Sequence, residues 1–200
     1  MLEQELVRRI TAIERRLDSL VKPEVGGWRL IPNPVALAAP AASVTFANLP
    51  QIYRTLVLLM QVRTDAVAEA DVTLWRANGD AGANYDYVYG RLSADGTQGS
   101  TGATASIQGL IGYTEAANSR ASNFSPCVAY FPGYALATQE KWCATSIHTK
   151  MGDVSALADL AVGIASSRWR STAAITSLTI FPSTGPNFVA GSRFALYGIL

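Results

Sequence analysis

The sequence predicts a mainly β protein, an antiparallel β-sandwich preceded by a short N-terminal coiled-coil helix. Three observations lead there. Apolar residues recur at heptad spacing over the first twenty or so positions, and the pattern changes to a period of two from Ser43 onward. The alternating runs are short, rich in Val, Ile, Thr and aromatics, and separated by clusters of Gly, Asn, Asp, Ser or Pro. The layout expected is residues 1–22 as an oligomerisation and attachment helix, 23–42 as an extended Pro/Gly linker arm, and 43–200 as the sandwich.

The helix comes first. Leu6, Ile10, Ile13, Leu17 and Leu20 are spaced four, three, four, three, which places Leu6, Ile13 and Leu20 at d and Ile10 and Leu17 at a. Arg9 falls at g and Glu14 at the following e, where opposite charges pair across parallel helices. Ile13 at d suits three strands better than two, so the expected assembly is a homotrimer. The alternative is an amphipathic helix folded back on its own domain. A helix of this length, about 30 Å, is marginal alone, so contacts between the attached bodies must reinforce it. Pro23 ends it, Gly26-Gly27 makes a hinge, and IPNPVALAAPA reads as an extended arm.

From Ser43 the strands expected are SVTFANL, YRTLVLLMQVRT, DVTLWRAN, NYDYVYGRL, ASIQGLIGY, CVAYFPGY, KWCATSIHT, LAVGIASSRW, AITSLTIF and SRFALYGIL. About ten strands at this spacing imply a sandwich or barrel. Leu56 to Met60 is apolar on both faces, which requires cover on both, from a second layer or a neighbouring subunit. VSALADLA suggests a helical turn between strands. The Gly/Ser/Thr/Ala stretch 92–106 lacks the apolar side chains to fix itself and is expected as a mobile surface loop.

Composition points to quaternary contact. The chain is 49% hydrophobic and 16% charged, with mean hydropathy +0.17, where an average domain is about a quarter charged. Residues 1–22 hold nine charged residues, and the remainder balances eleven basic against eleven acidic. No Lys/Arg cluster is present for phosphate neutralisation, so nucleic acid is not an expected partner. No apolar run approaches the roughly 18 residues of a membrane span, and the charged amphipathic start is not an export signal. Cys127 and Cys143 could pair if their strands lie side by side, but two buried free thiols is the simpler reading.

Chemistry-bearing groups are sparse, and no enzyme activity is expected. His148 is the only histidine and reads as a structural or surface residue on a strand. Cys127, Cys143 and His148 lack zinc-ligand spacing. NGDAGANYD, 78–86, offers oxygen ligands including Asn78 and Asp80, but it lacks the spacing of a calcium loop and is a strong hairpin turn. No metal or other cofactor is assigned. A glycosidase would need paired acids; Asp71, Asp86, Glu115, Glu140 and Asp159 show no such arrangement in sequence. Tyr85, Tyr87 and Tyr89 alternate on one face of a strand, either as a platform for a sugar or protein partner, together with Asn78 and Asp80, or packed in the core. Trp75, Trp142 and Trp169 read as core or interface anchors.

Three segments carry a resemblance. WRSTAAITSLTIFPSTGPNFVAGSRFALYGIL, 169–200, resembles the closing "aIttItl…aGSrfaLYGi" strands of many tailed-bacteriophage virion structural proteins. FANLPQIYRTLVLLMQVRTD, 46–65, resembles that family's "iPqtYthLvL…R" stretch, and WRANGDAGANYDYVYG, 75–90, its "lrfNgdsgsnYdy" stretch, in the same order. The resemblance implies a jelly-roll-like sandwich, usually trimeric, exposed on the virion and docked to other virion proteins of the tail or capsid. The role it implies is a tail fibre or tail-tip component contacting a host glycan or receptor. A capsid decoration protein is the rival within that class, and a carbohydrate-binding module the rival outside it.

Overall fold

A computed structural model describes residues 27–150, 157 and 160–200, with side chains described for all but 146–150. The heptad residues Leu6, Arg9, Ile10, Ile13, Glu14, Leu17 and Leu20, the His148 side chain and most of the helical turn expected at VSALADLA lie outside the described residues.

The alternating runs form strands β1 (Trp28–Leu30), β2 (Val35–Ala36), β3 (Val44–Phe46), β4 (Thr55–Val62), β5 (Ala70–Ala77), β6 (Tyr85–Ser93) and β7 (Gln98–Ser106). They continue as β8 (Gly109–Glu115), β9 (Ser125–Pro132), β10 (Lys141–Lys150), β11 (Ala161–Trp169), β12 (Leu178–Pro182) and β13 (Arg193–Ile199). A nine-stranded sheet has the order β1-β13-β4-β9-β10-β11-β6-β7, with β2 also on β13, and a four-stranded sheet has the order β3-β12-β5-β8. Every pairing between these strands is antiparallel. The result is a β-sandwich-like fold with unequal layers. The Pro-spaced segment lies along β13, so the large sheet begins at Trp28, inside the stretch read as the arm.

Apolar residues at alternate positions fill the space between the layers. Leu56, Leu58 and Phe131 from the large sheet meet Trp75, Leu178 and Ile180 from the small one, all fully buried. Trp75 lies edge-on to Phe131, with centroids 5.1 Å apart, and to Tyr85 at 5.5 Å. Burying its roughly 200 Å² at about 25 cal/mol per Å² contributes on the order of 5 kcal/mol. Its indole N–H donates to Ser167 Oγ at 2.7 Å, and that hydroxyl donates to Leu110 O at 2.9 Å. Thr145 Oγ1 donates to Ile111 O at 2.6 Å. These bonds satisfy polar groups that burial would otherwise make costly, and they lock the sheets in register.

The loops are tied down the same way. The buried Arg63 guanidinium donates to the carbonyls of Ala117, Ser119, Arg120 and Asn123, pinning the β8–β9 connection. Asp71 accepts from the amides of Thr184 and Gly185, and Asp65 from Asn187, fixing the β12–β13 connection. Lys141 is fully buried with its ammonium on Gln139 O and Thr172 O, and burial draws its pKa down.

The expectation for 92–106 is overturned. The stretch 92–106 is not a mobile loop; it completes β6, turns at 94–97, and returns as the nine-residue strand β7. Its order comes from main-chain pairing with β6, which needs no large side chains. Gly96 at φ +84° and the Asp95 carboxylate on the Thr97 amide close the turn.

The cysteines are free and buried on adjacent strands, yet out of register: Cys127 faces His148, whereas Cys143 precedes Ala144, which faces Tyr130. That offset of about four residues is roughly 13 Å along the strands, beyond disulfide reach.

Close approach requires glycine at two strand positions. A Cβ at Gly198 would lie 2.2 Å from the Tyr53 ring, and one at Gly109 the same distance from Trp75 Nε1. Gly198→Ala is expected to destabilise the fold by about 1–3 kcal/mol through overpacking, read as a lower urea midpoint; an unchanged midpoint would mean that Tyr53 turns aside freely.

Candidate functional site

Strand alternation decides where each expected site residue goes. Tyr85, Tyr87 and Tyr89 do share one face of β6, but it is the inner face. Tyr85 is fully buried; its hydroxyl accepts from the Ala77 amide and donates to Asp80 O, and burial pushes its pKa up to about 12. Tyr89 is buried too, with its hydroxyl bonded to that of Tyr113 and the rings edge-on at 4.9 Å. Tyr87 packs at the margin of this second cluster. Of the two readings of these tyrosines, platform or core packing, Tyr85 and Tyr89 follow the second.

Asn78 and Asp80 are likewise engaged internally. Asn78 adopts φ +53°, its Oδ1 accepts from the Thr176 and Ser177 amides, and its Nδ2 donates to Ala174 O. Asp80 accepts from Trp169 Nε1 at 2.6 Å, Asn84 Nδ2 at 2.9 Å and the Gly82 amide at 2.8 Å. Burial alone would raise the Asp80 pKa, but these donors outweigh it and hold the carboxyl below its ordinary value. This turn precedes β6 and the 94–97 turn follows it, roughly 30 Å away along nine residues.

Of the acids that a glycosidase would draw on, Asp159 lies outside the described residues and Glu115 is buried at the end of β8. Asp71 holds a loop, as described. Asp86 and Glu140 converge on Arg168, at 2.6 Å from Nη2 and 3.1 Å from Nη1 respectively, and Arg170 Nε lies 3.7 Å from Asp86. The Arg168 hydrogen bond, with a further one from the Ala105 amide, lowers the Asp86 pKa. Among the described residues no group of three His, Cys, Asp or Glu is placed to hold a metal ion.

What the structure does assemble is the outer face of the nine-stranded sheet. Following register across it, Leu30, Tyr197, Val57, Tyr130, Ala144, Ser166, Val88 and Gly102 stand in one row over eight strands. At about 4.8 Å per strand the row spans roughly 34 Å. Trp28, Leu30, Val88, Leu92, Trp142, Val162 and Ile164 all project from this face, each 46–63% exposed. The other large exposed apolar side chains, such as Ile52, Val67 and Leu136, sit in turns or at the terminus. Soluble monomers rarely leave so extended an apolar face in water. Charge is confined to its margins: Arg168, with its guanidinium 5.8 Å from the Trp142 ring, pairs with Asp86 and Glu140 at one end, and Arg193 lies at the other.

Sequence reasoning noted the double-sided run at Leu56 to Met60 but missed the far half of this face. The signal was present in β11 and β6, where Val162 and Ile164 alternate with Ala161, Gly163 and Ala165, and Val88 stands between Tyr87 and Tyr89.

Comparison with family profiles, with curated proteins and with solved structures finds no match to this chain.

Two outcomes test this chemistry. Burial raises the pKa of Cys127 to about 12 and pushes Cys143 up as well, so both thiols are expected to resist alkylation at pH 8 until denaturant is added; rapid native labelling would contradict their burial. The lowered Asp86 pKa means its ion pair stabilises the fold above the ordinary carboxylate range and is lost as pH falls through the folded value. Asp86→Asn is therefore expected to melt lower than wild type at pH 7, with the two melting curves converging at acid pH.

Proposed function

We propose that the chain is a non-enzymatic structural protein of a tailed-bacteriophage virion: a homotrimeric surface component of tail-fibre or tail-tip type, with a jelly-roll-like sandwich. The observation that carries the reading is the apolar outer face of the large sheet, a surface built for contact between proteins. The sequence resemblance supplies the particle, and the heptads supply the threefold order. Burial is the mechanism. Apolar area removed from water at about 25 cal/mol per Å² drives association, and a closed ring stops growth into filaments. The N-terminal helices bundle and dock the trimer to a virion partner, leaving turns to contact the host weakly and multivalently.

A carbohydrate-binding module is a second reading with one observation in its favour. Trp142 is half exposed beside Arg168, Asp86 and Glu140, an aromatic ring flanked by groups that hydrogen-bond hydroxyls. Titrating host envelope glycans against tryptophan fluorescence, with Trp142→Ala as control, tests it; a quench lost in the variant supports sugar binding.

The leading reading is tested on purified particles by antibody labelling and copy number. Label at the tail with few copies is expected. Hundreds of copies on the head would make the chain a decoration protein, and absence from particles would refute a virion role. Deleting residues 1–22 is expected to leave the melting transition of the sandwich in place while lowering trimer mass or particle attachment, read by light scattering on a sizing column. Unchanged assembly and attachment would remove the helix from that role.

A further inference from the structure

We infer that a second copy of this chain seats on the outer face of β11, β6 and β7, with Ile164 of one copy entering a glycine-floored groove beside Leu92 of the next. This rests on the assembly reading and deepens it by naming the contact.

Register places Ile164, Gly90 and Ser100 side by side across three strands, with Val162, Leu92 and Gln98 in the row on one side and Ser166, Val88 and Gly102 on the other. Ile164 is 63% exposed and stands as a knob. Next to it the floor at Gly90, Gly99 and Ser100 carries almost no side chain, leaving a groove of about 600 Å³ walled by Leu92, Val162 and Ile164.

Gly90 is the telling residue. A Cβ there would meet nothing nearer than Gly99 O at 4.0 Å, and its backbone does not adopt a positive φ. Nothing within the described chain requires glycine at this position. By contrast, a Cβ at Gly102 would lie 2.8 Å from Tyr87 O, so that glycine is needed internally. Glycine in a strand interior forfeits stability unless a bulge or the approach of another backbone uses it. Gly90 pairs regularly with both Ile164 and Ser100, without a bulge, so close approach from outside is the use that is left.

Three observations identify the occupant as a second copy. The surface is self-complementary, with a branched apolar knob beside a cleft of matching chemistry, so a ring of copies satisfies every knob and cleft at once. The nine outward residues of the three rows include no charged side chain, so a charged partner gains nothing here, whereas an identical neutral surface does. The chain outside the described residues joins at Gly27–Trp28, on the far edge of this same sheet, where Trp28 packs on Tyr197 with centroids 5.9 Å apart. The heptad segment of the sequence is thus joined to the sheet that carries the cleft.

Such seating would also cover β7. This strand bonds only to β6, and QGSTGATAS has neither charge nor proline, the devices that normally protect a free edge. The opposite edge is short and flanked by Pro32 and Pro34.

The experiment uses the full chain. Gly90→Val fills the cleft without an internal clash, and Ile164→Asp places a charge on the knob at an exposed site. Each is expected to weaken self-association at least tenfold in sedimentation equilibrium while keeping the wild-type circular dichroism spectrum. Separately, Ser100→Cys and Ile164→Cys chains are mixed under mild oxidation; the native thiols are buried. A disulfide-linked pair containing one of each variant is expected. Within one chain these positions are two strands apart, roughly 10 Å, too far to bridge. If wild type is oligomeric, and neither Gly90→Val nor the cysteine mixture behaves as expected, the interface lies elsewhere and the assembly reading survives. A wild type that stays monomeric at high concentration overturns both.

Discussion

The packing of Trp75 between the two sheets is the constraint on which the rest of the structure depends. The indole fills the space beneath Phe131 and Tyr85, and its single donor must find an acceptor once water is excluded. Ser167 on β11 answers it and passes the bond on to Leu110 on β8. Gly109 lacks a side chain because the indole occupies that space. Strand β11 is thereby held with its serine and alanine face inward, and its other face, bearing Val162 and Ile164, is committed to the outside.

Unequal layers make that commitment consequential. A four-stranded sheet covers one face of a nine-stranded one, and loops anchored by Arg63, Asp65 and Asp71 extend that cover. The other face leaves two tryptophans and five aliphatic side chains exposed, while Val57 in the middle of it is buried among its neighbours. At Arg168 the charge on that face is neutralised by Asp86 and Glu140. Such a surface has much to offer association, which is the physical basis of the assembly reading.

The strands were largely legible in the sequence, because β-branched and aromatic residues at period two, broken by Asn-Gly and Gly-Ser clusters, are a local signal. The strands missed are β1 and β2, inside the stretch read as an arm, and β7, which shows most plainly where that signal ends. QGSTGATAS contains no large apolar residue, and its order comes from hydrogen bonds to β6, which no side-chain pattern records. The tyrosine alternation in β6 correctly implied a shared face, but not which one; a one-residue slip in register would have exposed all three. Cys127 and Cys143 carry the same lesson, since adjacent strands were necessary for pairing and their offset made it impossible.

By itself, then, the sequence determined the class of the sandwich, the heptad character of its start, and the scarcity of catalytic groups, because these follow from composition and short-range periodicity. The tertiary structure alone decided which apolar face the small sheet covers, and that Gly90 lies open beside Ile164. Those outcomes depend on contacts between strands far apart in the chain: β6 meets β11 across some seventy positions, and local pattern does not encode which strands become neighbours.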